Sequence, residues 1–193
     1  MSEAVNALFN ASVSIGFTAL LSVDEKTQRY EAITPYITGL LADDTASGLA
    51  LMSSVLSVLH NAFETYFWTG FYRRVSDEIL EVGPNQGTVG CTSIRFGKGV
   101  CGTVAATQTT KIVTDVHAEP NHIGCDDSSQ SEIVVPLFIQ GQLAGVLDVD
   151  SHVKAAFDAV DQRYLERFMD GLGQALSQRD LSGLIWLRSP SKP

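Results

Sequence analysis

The sequence predicts an α+β fold organised around an antiparallel sheet. Three patterns predict it: a helical stripe before the first strands, a closely spaced pair of β-rich runs late in the chain, and an amphipathic helix after them. At 193 residues, 45% hydrophobic and 18% charged, the chain suffices for one self-supporting core with tails.

Taken in order, Leu49, Met52, Leu56, Leu59 and Phe63 recur every three or four residues, the spacing of one helix face. Residues 66–73 are aromatic-rich and alternate, predicting a strand, and residues 78–82 predict a second after an Asp-containing turn. Residues 93–96 form a short strand, Gly97-Lys98-Gly99 breaks the chain, residues 100–107 form a short helix and residues 111–114 another strand. The polar stretch 115–131, with four Asp or Glu residues, reads as a loop. Residues 133–139 and 143–149 are β-rich runs joined by Gln140-Gly141-Gln142, a hairpin, and Pro136 places its run at an edge or a bulge. Asp158 is the expected N-cap of a last helix, whose apolar face is Val160, Tyr164, Leu165, Phe168, Met169 and Leu172. The expected domain runs from 30 to 181, with residues 1–29 as an N-terminal extension and residues 182–193, closing in Ser-Pro-Ser-Lys-Pro, as a flexible C-terminal tail.

Net charge is −9 with a pI near 4.7. An acidic balance argues against nucleic acid as a partner, because phosphate binding needs a basic face. No apolar run has the length of a membrane span. Residues 1–10 carry one Glu and no Lys or Arg, so the basic start of a secretory signal is missing. Three cysteines make an odd, sparse set, suited to a reducing compartment. A cytoplasmic protein is expected.

The cysteines stand at 91, 101 and 125, and none forms a C-x-x-C pair. Cys91 ends a Val-Gly-Cys segment beside a strand. Cys101 sits among small residues, as in a packed turn. Cys125 lies in the polar loop, where functional groups concentrate, although Asp126 and Asp127 would raise its thiol pKa rather than lower it. A free cysteine can equally be a small buried hydrophobe. Asp148 and Asp150, two apart at the end of an apolar run, share a strand face with Val146. They either face water or line a pocket mouth, where they would bind an ammonium or hold one raised pKa for acid catalysis. In an antiparallel hairpin Glu132 meets the same end of the sheet, so three carboxylates converge. Trp68, Gly70 and Tyr72 share a face, as core or as a ligand wall, with Gly70 leaving room against the sheet. His117, and His122 with Cys125 and Asp126, match no common metal spacing, so no metal is expected.

Trp68-Thr69-Gly70-Phe71-Tyr72, Gly97-Lys98-Gly99-Val100-Cys101-Gly102, Asp115-Val116-His117, His122-Ile123-Gly124-Cys125-Asp126, Ser131-Glu132-Ile133-Val134-Val135-Pro136 and Gly145-Val146-Leu147-Asp148-Val149-Asp150-Ser151 occur in this order. Together they resemble the free methionine-(R)-sulfoxide reductases, a catalytic branch of the GAF-domain superfamily, over about residues 30–176. The resemblance implies a GAF-like antiparallel sheet of about six strands flanked by helices, with a closed pocket. It implies that Cys125 attacks the sulfoxide sulfur and that Cys91 resolves the resulting sulfenic acid as a disulfide, while Cys101 has a less settled role. Glu132, Asp148 and Asp150 would hold the substrate amine and polarise the sulfoxide, and Trp68 and Tyr72 would wall the methyl-sulfur end. Thioredoxin or a similar dithiol would be the external reductant, no cofactor would be needed, and a homodimer is suggested. Two readings compete: a non-catalytic GAF module that senses a small molecule, and a thiol switch acting on a partner. A phosphate-bearing ligand fits poorly beside three carboxylates.

Overall fold

The computed structural model describes residues 20–185 and 187. Helices α1 (Val23–Ala42) and α2 (Gly48–Ala62) lead into strands β1 (Tyr66–Arg74), β2 (Ile79–Gln86) and β3 (Ser93–Arg95). Helix α3 (Gly99–Thr107), strand β4 (Lys111–Val113) and a single 3-10 turn (Val116–Ala118) follow, then β5 (Ser131–Ile139), β6 (Gln142–Ser151) and α4 (Ala159–Leu176). The strands form one six-stranded sheet in the order β3-β2-β1-β6-β5-β4, with every neighbouring pair antiparallel. The expected α+β architecture holds.

The sheet has two unlike faces because side chains alternate along each strand. One face carries Phe71, Ile133, Val135, Leu137, Leu147 and Val149 and packs against α1, α2 and α4 as the main core. The other carries Trp68, Tyr72, Val134 and Val146 and packs against α3 through Val100, Cys101, Val104 and Ala105 as a smaller core. Helix α4 presses closely on β5: a Cβ at Gly173 would collide with the Phe138 carbonyl. Pro136 tolerates its strand position because β4 pairs only with residues 132–134 of β5. At Pro136 the strand has a partner on the β6 side alone, and the register shifts one step later, between Leu137 and Phe138.

Helix α1 has no counterpart among the elements expected from sequence, and the expected boundary between residues 29 and 30 cuts through it. It opens with a reciprocal capping box in which Ser22 Oγ accepts from the Glu25 N–H and the Glu25 carboxylate accepts from the Ser22 N–H. Lys26, inside the supposed extension, is buried and donates to Asp158, to Asp161 and to the Ala156 carbonyl. The start of the supposed tail is also engaged. Ile185 is buried in the main core, and the Arg73 guanidinium donates to the Leu184 carbonyl at 2.7 Å. Residues 1–19, 186 and 188–193 lie outside the described residues. Cys101 sits in the first turn of α3, not in a free-standing turn, and the loop expected at 115–131 contains the 3-10 turn and ends where β5 begins.

Candidate active site

Three cross-strand ranks build the floor of a cleft on the α3 side of the sheet. Glu132, Asp150 and Trp68 are register partners across β5, β6 and β1, and Val134, Asp148 and Gly70 form the next rank. Pro136, Val146 and Tyr72 form the third. The two Asp residues of β6, two apart, therefore stand on one face with Glu132 beside one and the aromatic strand on the other side. Trp68 stacks on Tyr72 at 5.6 Å between ring centroids, and its indole lies directly over Gly70. The room expected at Gly70 is thus filled by Trp68, and the missing side chain serves the tryptophan, not a ligand.

The cleft is narrow, with about 40 Å³ of free interior, room for a few water molecules. Trp68, Tyr72, Cys101, Glu132, Asp148 and Asp150 line its interior, and Val89, Ile123 and Cys125 are the exposed residues of its wall. Gly90 lets the covering loop approach the aromatic pair, since a Cβ there would stand 2.9 Å from Tyr72 Oη. Among the described residues the lining carries no Lys or Arg.

Electrostatics follow from burial of like charges. Glu132 and Asp148 are 5% and 6% exposed, and burial, reinforced by their neighbours' negative charge, holds both carboxyls well above the usual range. Asp150 is pushed up to about 6, by burial first, while the hydrogen bond that Ser129 Oγ donates to it at 2.5 Å opposes the rise. The Cys101 thiol is likewise held high, by burial and then by Asp148, and it donates to Glu132 Oε1 over 3.9 Å. The ligand atoms of Cys101, Glu132 and Asp148 lie within 4.8 Å of one another. Two buried polar atoms of the cleft, Trp68 Nε1 and Asp148 Oδ1, have no hydrogen-bond partner of ordinary geometry among the described residues. At neutral pH the cleft therefore offers both carboxylic acids able to give protons and a strong attraction for a cation.

Cys91 and Cys125, 34 positions apart in sequence, are joined as a disulfide with Cα atoms 5.2 Å apart, while Cys101 is free and buried. The bridge ties the segment after β2 to the long loop before β5. Beside it the Thr88 hydroxyl donates to Asp126 Oδ2 at 2.6 Å, a second tie between the same two segments. Cys125 is thus bonded to Cys91, Asp126 accepts from Thr88, and His117 faces Gln130 outside the cleft. The sequence reading missed Ser129 and Thr88. Nothing distinguishes Ser129 from Ser128 except distance from the strand start, and Thr88 is one polar residue in a Gly-rich stretch.

The GAF domain family profile matches residues 2–177, taking in most of the expected N-terminal extension. The chain is 37% identical to the Escherichia coli free methionine-R-sulfoxide reductase, over 80% of this chain and 93% of that protein. With the Saccharomyces cerevisiae protein of the same name it shares 42% identity over 66% of this chain and 74% of the relative. The solved Neisseria meningitidis free methionine-R-sulfoxide reductase, in complex with its substrate, superposes with a TM-score of 0.76 at 41% identity, covering 84% of this chain and 97% of that one. The chain belongs to the GAF-domain family of the free methionine-R-sulfoxide reductases. Within this family the sheet, the acidic floor and the cysteine pair all lie in the matched region.

Proposed function

We propose that this chain reduces the R epimer of free methionine sulfoxide to methionine with Cys125 as the nucleophile and Cys91 as the resolving thiol. One observation carries the reading: an acidic trio, with Glu132 and Asp148 buried, and Cys125 of a disulfide-forming cysteine pair line one cleft. The similarity to enzymes of that name supplies the substrate class. The ammonium of the substrate is drawn to the carboxylates, with Asp148 Oδ1 as its unsatisfied acceptor, and the Trp68 N–H is a donor for a substrate oxygen. The Trp68–Tyr72 stack walls the methyl-sulfur end. Among the described residues the lining has no Lys or Arg, and backbone N–H groups receive the substrate carboxylate in this reading. A peptide would have to bury its backbone extensions in the same cleft, and this favours the free amino acid.

The reaction starts from the reduced pair. The Cys125 sulfur attacks the sulfoxide sulfur, and a protonated carboxyl of the Glu132–Asp148 pair gives its proton to the departing oxygen. The attack has formed a sulfur–sulfur bond; as that bond breaks with its electron pair going to the methionine sulfur, the hydroxyl passes to Cys125 as a sulfenic acid, methionine leaves, and the carboxyl regains the proton that the thiol gave to solvent. The Cys91 thiol then displaces water from the sulfenic acid to form the Cys91–Cys125 disulfide. Two electrons have gone from the two thiols to the sulfoxide. A thioredoxin-type dithiol restores the thiols by exchange, attacking through the exposed Cys125 side of the bridge.

The test is a thioredoxin-coupled assay following NADPH consumption with each epimer of free methionine sulfoxide and with a peptide-bound sulfoxide. Turnover of the free R epimer alone is expected, with Cys125→Ser inactive. Full turnover by Cys125→Ser would remove the nucleophile assignment. Silence on every sulfoxide from a folded, reduced protein would return the chain to a ligand-sensing role.

A further inference from the structure

We infer that Cys101, Glu132 and Asp148 form a buried binding site for a soft divalent cation of the zinc class, which closes the cleft to an amino-acid ligand. The catalytic scheme gives Cys101 no task, although this thiol lies in the floor of the cleft and not in the core alone. Its sulfur and one carboxylate oxygen from each of Glu132 and Asp148 fall within 4.8 Å of one another. A tetrahedral zinc site with metal–sulfur and metal–oxygen bonds near 2.3 and 2.1 Å sets its donors roughly 3.5 Å apart. The 3.9 Å between Cys101 Sγ and Glu132 Oε1 is already close to that spacing.

A second observation points to a ligand independently of the clustering. Asp148 is 6% exposed and lines the cleft, and beside its contacts with the Cys101 thiol and the Glu132 carboxyl its Oδ1 accepts no hydrogen bond of ordinary geometry among the described residues. Such an oxygen is costly to bury unless something charged or polar completes it. The donor set also selects the ion. One thiolate with two carboxylates suits zinc or cadmium, whereas an all-oxygen set would suit magnesium or calcium. Three protein donors leave a fourth position open to water, the arrangement of accessible zinc sites.

Binding exchanges protons for metal: the S–H bond of Cys101 and any O–H bonds of Glu132 and Asp148 break, metal–ligand bonds form, and the protons pass to solvent. No electron moves. The bridged Cys91–Cys125 pair supplies no ligand, so the site exists in the oxidised protein. Glu132 and Asp148 are also the residues proposed to hold the substrate ammonium, so metal and substrate exclude one another. That last consequence rests on the proposed function, whereas metal binding does not.

The experiment titrates the oxidised full chain, its disulfide intact, with cadmium and, in parallel, with cobalt. Thiolate-to-metal charge-transfer absorption saturating at one metal per chain is expected. Cys101→Ser should abolish the band while keeping the circular dichroism spectrum and thermal midpoint of the parent. Asp148→Asn should keep the band and weaken affinity by about 100-fold, the upper end of what a lost metal-site partner costs. Absence of the band from the folded parent, or its persistence in Cys101→Ser, overturns the site. In the coupled assay zinc should raise the apparent KM for free methionine sulfoxide and leave kcat unchanged, and a fall in kcat alone would overturn the shared ligands. If no sulfoxide is turned over, the absorption measurements still decide the metal site by themselves.

Discussion

Asp150 and Asp148 are chemically identical and two residues apart, yet their surroundings set them different tasks. Asp148 has a partnerless oxygen in the floor of the cleft, whereas Asp150 is held by Ser129 and has its carboxyl at about 6. Because the folded value lies above the ordinary 3.8, the folded state binds the extra proton between those limits. Its contribution to stability is therefore present at acid pH and is lost as pH rises through about 6. Urea unfolding of the parent and of Asp150→Asn should show the difference moving in the variant's favour from about pH 4 to about pH 7, then levelling. A difference that stays flat across that window would mean that Asp150 is not held protonated by burial.

At the scale of elements, α1 is joined to the start of α4 by charge. Lys26 reaches Asp161 at 2.5 Å and Asp158 at 2.8 Å, and Tyr30 donates to the other oxygen of Asp161 at 2.9 Å while sharing a hydrogen bond with Tyr66. Asp158 and Asp161 also cap α4 reciprocally, so the Lys26 ammonium sits where two carboxylates and a helix start meet. Removing the cation leaves Asp161 buried and uncompensated. Lys26→Met should cost about 3–5 kcal/mol in urea unfolding, the range for breaking one side of a buried pair. A loss under about 1 kcal/mol would show that solvent reaches Asp161 and that α1 is held by its apolar face alone.

For the whole molecule, the Cys91–Cys125 bridge joins the edge of the sheet at β2–β3 to the long loop that leads into β5, near the opposite edge. A loop of 34 residues closed in this way restricts the unfolded chain by about 4 kcal/mol in the loop-entropy account. Reduction should therefore lower unfolding stability by up to about 4 kcal/mol without changing the strand order. Amide exchange should localise the loosening to residues 87–91 and 119–130, with the main core unaffected. Loosening spread evenly over the sheet would mean that the bridge supports the fold and not only the wall of the cleft.

Local pattern was enough for the β1 strand, the β5–β6 hairpin and α4, because alternation, turn residues and a three-to-four spacing act between near neighbours. The antiparallel hairpin alone also placed Glu132 beside Asp148 and Asp150. Helix α1 escaped that reading although Ser22-Val23-Asp24-Glu25 is a capping signature, because Pro35 and a weak apolar stripe obscure the helical pattern after it. Lys26 looks like a surface lysine in sequence, and only the approach of α4, more than 130 residues later, buries it. The role of Gly70 was misread for the same reason, since only the folded strand shows the Trp68 ring lying over it. Sequence by itself determined which residue types share a strand face, a matter of local backbone geometry. Tertiary structure alone decided which carboxylates are buried, which oxygen lacks a partner and which thiol stays free. Those properties depend on desolvation and on contacts between segments that chain connectivity leaves far apart.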